Sequence, residues 1–246
     1  MGSTLMQTIE TADDLQLAGV WVRSEERAKE LAAASGAVIT TDIDAVVVAS
    51  RVLIDFSLPE AFATVIGSVT RHNKPLVCGV SGLDESQMAL LELAARDTAI
   101  VFDRNMSLGI TILDSLVRQA AASLGLDFDV LIEETHHIHK VDAPSGTALK
   151  LGEAVAAARG QDFKEVAEFE PAGAVGKSMP GAIRIRAERR GEVPGDHAVT
   201  MSSAAETLML SHSVTTRQVF ADGALRAARW VVSQPPGRYS MRDVMF

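Results

Sequence analysis

The sequence predicts an α/β protein in two lobes, a parallel-sheet α/β lobe followed by a lobe with a mixed sheet. Two patterns carry that expectation. Over the first hundred residues short apolar runs alternate with amphipathic helical stretches, and the runs are apolar throughout, as in strands buried on both faces of a parallel sheet. Beyond Gly160 the runs instead alternate with period two, at Ala182–Ala187, His197–Met201 and Thr207–Val214. That is the signature of an open, more antiparallel sheet with one face solvated or paired with another subunit. With 246 residues, 47% of them hydrophobic, the chain has enough apolar material for such cores.

Taken in order, Leu5, Met6 and Ile9 fall at helical spacing, so a helix starts almost at the first residue with no strand before it. Leu15–Val22 reads as a strand and Glu25–Ala34 as a helix, while Ala45–Ala49 either closes a short helix or opens a strand. Val52–Phe56 is a strand, and Ser57-Leu58-Pro59-Glu60 opens a helix over Pro59–His72. Pro75–Cys78 (strand), Gly79–Gly82 (turn), Asp84–Arg96 (helix) and Ala99–Phe102 (strand) complete the first lobe. Ligands of parallel sheets sit at the carboxyl ends of the strands. Those ends carry Asp55-Phe56-Ser57, Gly79 to Gly82, and Asp103 to Ser107. After Gly109 come a helix over Ile112–Leu124, a strand over Phe128–Ile132, a polar loop and a helix over Ala148–Arg159. A last helix, roughly Arg217–Val232, precedes the break at Pro235-Pro236-Gly237.

Composition excludes several classes. One cysteine, Cys78, supports neither a disulfide framework nor a cysteine metal cluster. A net charge of −9 argues against a general nucleic-acid or membrane-surface binder. No apolar run approaches the roughly 20 residues of a membrane span. Met1–Asp14 holds no Lys or Arg and does hold Glu10, Asp13 and Asp14, unlike a signal peptide. A soluble cytoplasmic protein is expected.

The window Glu133 to Thr147 carries the chemistry. Three of the six histidines and a lysine fall within His136–Lys140, directly after a strand, and Ser145-Gly146-Thr147 opens a helix. A helix start offers backbone N–H groups to an anion, and Gly146 lets a carboxylate approach the backbone. His and Lys ahead of it are proton donors near neutral pH. Three other readings compete. A metal site is disfavoured because adjacent His136 and His137 point apart on extended chain and no HExxH or cysteine spacing accompanies them. A solvated loop capping a helix accounts for His139 and Asp142. A Schiff-base lysine requires Lys140 to be desolvated, against three polar neighbours. A proton-donating, carboxylate-binding loop explains most of the window.

The run from His136 to Ala148, H-H-I-H-K-V-D-A-P-S-G-T-A, resembles the signature of the dihydrodipicolinate reductase (4-hydroxy-tetrahydrodipicolinate reductase) family. Asp55-Phe56-Ser57 with Pro59-Glu60, Gly79 to Gly82, Asn105-Met106-Ser107 with Gly109, and Arg190-Gly191 with Gly195-Asp196-His197 resemble it in order. So does the tail from Arg217 to Val244. The resemblance implies a Rossmann-like dinucleotide-binding lobe over 1–106 and 218–246, and an α+β mixed-sheet lobe for substrate binding and tetramerisation over 107–217. It implies an oxidoreductase of diaminopimelate and lysine biosynthesis, NADPH or NADH as cofactor, a dicarboxylate substrate and a homotetramer, with no resident metal, nucleic acid or membrane partner. His136 and Lys140 would be the catalytic proton donors; His137, Gly146 and Thr147 would hold substrate. Met1, Gly2, Arg23, Gly79, Val80, Ser81, Asp103, Arg104, Asn105 and Met106 would hold the cofactor.

Three departures stand out. Family members open with a strand and a glycine loop ending G-R-M-G, whereas here Met1-Gly2 is where that motif ends, so the lobe is expected to lack its first strand. Met1 is then expected to be an internal methionine of a longer protein, by about one strand and one loop. Val22 and Arg23 stand where an acid usually holds the adenosine ribose, which favours NADPH slightly, with Glu25 and Glu26 close by. Val80 replaces a common hydroxyl residue. The alternative to the enzyme is a non-catalytic, dicarboxylate-binding or oligomerising homologue without a nucleotide loop.

Overall fold

The computed structural model describes residues 1–32, 37–170, 179 and 181–246. The chain forms two units, Met1–Met106 with Gln218–Phe246, and Ser107–Arg217. The first runs α1 (Gly2–Glu10), β1 (Val20–Trp21), α2 (Glu25–Ala32), β2 (Ile39–Thr40), α3 (Ile43–Ala49), β3 (Leu53–Asp55), α4 (Pro59–Arg71), β4 (Leu76–Cys78), α5 (Glu85–Ala94) and β5 (Ala99–Phe102). Local chemistry sets the helix starts. Asp42 accepts from the Asp44 and Ala45 amides ahead of α3, Pro59 opens α4, and Asp84 with Gln87 forms a capping box on α5. The end of the expected Glu25–Ala34 helix, Ala33 and Ala34, lies outside the described residues.

The second unit runs α6 (Leu108–Leu124), a 3₁₀ turn (Gly125–Asp127), β6 (Asp129–His136), α7 (Gly146–Ala158), α8 (Phe163–Val166), β7 (Ala167–Glu170), β8 (Ile183–Arg189), β9 (Gly195–Ser202) and β10 (Thr207–Val214). The chain then returns to the first unit with α9 (Gln218–Val231), β11 (Gly237–Tyr239) and α10 (Met241–Met245).

In the first unit the main sheet has the order β11-β5-β4-β3, all parallel, and its central strands β4 and β5 are apolar and buried as expected of a sheet covered on both faces. Phe62, Leu76, Leu91 and Ile100 lie at the centre of its core. The pair β1-β2 is a separate two-stranded parallel sheet. Between β1 and β3 lies a cavity of about 980 Å³, walled by Leu5 of α1, Trp21, Leu53 and Leu225 of α9. One expectation is corrected: of the strand read over Leu15–Val22 only Val20–Trp21 is strand, while Leu15–Gly19 border the cavity and pair with no strand among the described residues. Ala45–Ala49 closes a helix, α3, and the short strands β2 and β11 were not expected.

In the second unit the mixed sheet has the order β10-β9-β6-β8-β7. Central β6 is antiparallel to β9 and parallel to β8, so the sheet is half parallel rather than mainly antiparallel. Val130, Ile132, Ile183, Ile185 and Val199 on one face pack against Ile110 and Val117 of α6 and Leu151 and Val155 of α7. The opposite face carries Glu133, Arg184, Arg186 and Thr200, half-buried, with Arg186 bridging Glu133 and Glu170 at 3.1 and 2.9 Å. The expected end of β6 at Ile132 is corrected. Ladder partners on both sides, Ala198 to Asp196 in β9 and Arg186 to Arg189 in β8, carry the strand on through His136, although its residues there are polar.

Candidate active site

Alternation along β6 puts Val130, Ile132, Glu134 and His136 on one face, so the core stripe ends in two ionisable residues. Register sets His197 of β9 opposite Glu134. Glu134, His136 and His197 are 2%, 8% and 3% exposed. Glu134 Oε1 accepts the backbone N–H of Ser145 at 2.9 Å and lies 3.4 Å from the Arg189 guanidinium. Its Oε2 lies 2.8 Å from His136 Nδ1 and 3.8 Å from His197 Nε2. Burial alone would raise the Glu134 pKa, but the His136 imidazole and the Ser145 hydrogen bond outweigh it and hold the group down at about 2. It is a buried carboxylate at the start of α7, where the helix dipole favours negative charge. Burial, and then the charge of His136, push His197 down to about 3, so it is neutral. The three residues bring ligand-type atoms within 4.8 Å of one another. The 2.8 Å approach is shorter than the ~3.3 Å that separates two ligands of a tetrahedral zinc with bonds of 2.0–2.1 Å.

The loop after β6 is fastened to this cluster. Lys140 Nζ donates to both oxygens of Asp142 at 2.7 and 2.9 Å, and Arg189 donates to the carbonyls of Lys140 and Asp142 while facing Glu134. His137 is half-buried with Nε2 3.3 Å from an Arg217 nitrogen; burial and that guanidinium lower its pKa. His139 is exposed beside Glu192. Ser145 caps α7, its Oγ accepting from the Ala148 amide at 3.2 Å and lying 3.3 Å from His197 Nε2. Gly146 and Thr147 are therefore the first two helical residues, with their amides at the helix mouth. His136, His137, Lys140, Gly146 and Thr147 thus share one end of the second unit. Glu134, Ser145, Arg189 and His197 join them there; from the sequence Ser145 is expected only as part of a helix start and His197 only within a family motif, and none of the four is assigned a site role. Glu134 was legible as the residue two before His136 on a strand.

In the first unit, a cleft of about 600 Å³ lies between residues following β1, among them Arg23 and Arg27, and Phe56 and Ser57 following β3. Arg23 is exposed, and Arg27 pairs with Glu30 at 2.7 Å. Helix α1 begins after Met1 without a side-chain cap, and a Cβ at Gly2 would meet nothing within 4 Å. Gly79 is packed: a Cβ there would fall 2.6 Å from the Phe56 ring. Val80 and Met106 are buried, so what they offer a ligand is backbone. Asp103 is buried and accepts the Met241 and Asn105 amides at 3.2 and 3.3 Å, tying β5 to α10. Ser81 and Arg104 are exposed and Asn105 is half-buried. Burial, then the nearby Asp55, raise the Cys78 thiol to about 12, which removes it as a nucleophile.

Comparison with known proteins places this geometry. Residues 1–106 match the family model described as dihydrodipicolinate reductase, N-terminus, and residues 109–245 the one described as dihydrodipicolinate reductase, C-terminus. The chain is 46% identical over 210 residues to the 4-hydroxy-tetrahydrodipicolinate reductase of Halorhodospira halophila, covering 85% of this chain and 79% of that protein. It is 38% identical over 250 residues to that of Pseudoalteromonas translucida, covering 100% and 94%. The dipicolinate-bound dihydrodipicolinate reductase of Paenisporosarcina sp. TG-14 has a similar fold, with a TM-score of 0.77 at 22% identity, over 99% of this chain and 95% of that one. Among the described residues no helix is long and apolar enough to cross a membrane.

Proposed function

The chain belongs to the dihydrodipicolinate reductase family, and from that premise we propose that it reduces 4-hydroxy-tetrahydrodipicolinate to tetrahydrodipicolinate. In the net reaction one hydride and one proton are added and one water leaves. The observation that carries the reading is the buried Glu134–His136 pair beside the mouth of α7, with Lys140 on the same loop.

The substrate is a dicarboxylate. The Gly146 and Thr147 amides at the helix mouth and His137 beside Arg217 receive its carboxylates. His136 exchanges a proton with the substrate, and Lys140 is the general acid that protonates it as charge develops. Arg189 holds the Lys140–Asp142 loop in place for this through two backbone carbonyls. Binding an anion next to His and Lys favours their charged forms, as acid catalysis requires.

The residues of the first unit fit a nicotinamide dinucleotide. The uncapped start of α1 at Met1 and Gly2 offers backbone N–H groups to a pyrophosphate, and the cleft beside Arg23 suits an adenosine phosphate. Gly79, Val80 and Ser81 after β4, and Asp103, Arg104, Asn105 and Met106 after β5, line the strand ends where such a ligand lies. When bound, the cofactor supplies the hydride. Arg23 and Arg27 in the lining of this cleft, and no carboxylate there among the described residues, support NADPH over NADH. The half-buried polar face of the second unit's sheet supports a homotetramer, and the biosynthetic reaction supports a cytoplasmic location.

The test is NADPH-dependent turnover of the product of dihydrodipicolinate synthase. Lys140→Ala is expected to lower kcat by on the order of 10²-fold or more, with NADPH affinity by fluorescence unchanged. Dicarboxylate binding without NADPH binding or turnover would instead favour the non-catalytic reading.

A further inference from the structure

We propose that Glu134 is a positioning residue for His136. It accepts the Nδ1 proton and thereby assigns Nε2 as the nitrogen that exchanges protons with substrate. The inference rests on the reading of His136 as the proton-transfer group and names what fixes its tautomer.

His136 Nδ1 and Glu134 Oε2 are both buried and lie 2.8 Å apart, an ionic approach not aligned as a hydrogen bond in this rotamer pair, and neither has another hydrogen-bond partner. Both atoms are closed to solvent, so a small turn of the imidazole that aligns Nδ1–H on Oε2 satisfies the two together. The carboxylate is itself immobile. It sits on the central strand, its other oxygen takes the Ser145 amide, and burial leaves it no alternative rotamer in solvent. On its far side the His136 ring meets the His197 ring edge-on, with centroids 5.1 Å apart and planes at 76°. His197 is neutral and lies 3.3 Å from the Ser145 hydroxyl, so it contributes shape without a competing charge. The second nitrogen of His136 faces Gly195, where an added Cβ would stand 3.0 Å from Nε2. A side chain at 195 would cover that nitrogen.

A purely structural role, in which Glu134 only caps α7 through Ser145, predicts something different, and Glu134→Gln separates the two. Glutamine keeps an acceptor for the Ser145 amide but turns its NH₂ toward Nδ1, which favours the Nε2–H form of the ring. The expected result by ¹⁵N NMR of His136 at neutral pH is an Nδ1-protonated ring in the wild type and an Nε2-protonated ring in Glu134→Gln, with the thermal midpoint little changed. In turnover, kcat is expected to fall by on the order of 10²-fold or more with KM for the dicarboxylate little affected, and Glu134→Asp to restore part of the loss. An unchanged ring tautomer and full kcat in Glu134→Gln, with His136→Ala inactive, would overturn this inference alone. Full turnover by His136→Ala would overturn the parent reading, and this one with it.

Discussion

Arg23 and His197 show how much a single charge decides here. Arg23 stands exposed at the cleft after β1, where a second arginine, Arg27, is already engaged by Glu30. If Arg23 grips the adenosine phosphate, Arg23→Ala raises KM for NADPH by about 10-fold or more while leaving KM for NADH unchanged. Steady-state kinetics with both cofactors measure this. His197 speaks to stability. Folded, it refuses a proton until about pH 3, whereas unfolded histidine binds one near 6.5. Between those values the unfolded chain holds more protons, so stability falls as pH drops below 6.5. Glu134, held at about 2 against an ordinary 4.5, adds a second loss below pH 4.5. Urea midpoints followed by far-UV circular dichroism are therefore expected to drop from pH 7 to pH 5, and to drop less in His197→Gln.

At the scale of elements, α9 lies so close to the backbone after β5 that only glycine fits at the contact. A Cβ at Gly223 would stand 1.7 Å from the carbonyl oxygen of Met106. Because the obstacle is backbone, no rotamer change relieves it. Gly223→Ala should destabilise the first unit by about 3 kcal/mol or more, seen as a lowered calorimetric midpoint. What the sequence disclosed follows the same physics. Long periodic segments such as α4, α7 and α9, and the fully apolar β4 and β5, are legible because burial dictates their pattern. The pairs Val20–Trp21 and Ile39–Thr40 are too short to show a period, and β11 begins at a Pro-Pro-Gly sequence that reads as a break. The site divides likewise. His136, His137, Lys140, Gly146 and Thr147 announce themselves as a clustered motif. Arg189 and His197 reach it only through strand register across β8 and β9, which local pattern does not encode.

At the scale of the whole molecule, the first unit is assembled from both ends of the chain, with β11 pairing to β5 and the Met241 amide donating to Asp103. Its main sheet runs from β11 to β3, and β1 with β2 forms a separate two-stranded sheet. Strands β4 and β5 are buried and have a partner on each edge, while among the described residues β1 and β2 pair only with each other, across two residues. Opening a two-residue ladder breaks few contacts, whereas opening β4 requires the whole core to part. The first unit should therefore show different amide hydrogen–deuterium exchange in its two sheets. Val20 and Val22 are expected to exchange orders of magnitude faster than Val77 and Val101, at rates set by local opening rather than global unfolding. Equal protection at all four amides, read by exchange NMR, would mean that the two sheets open as one cooperative unit.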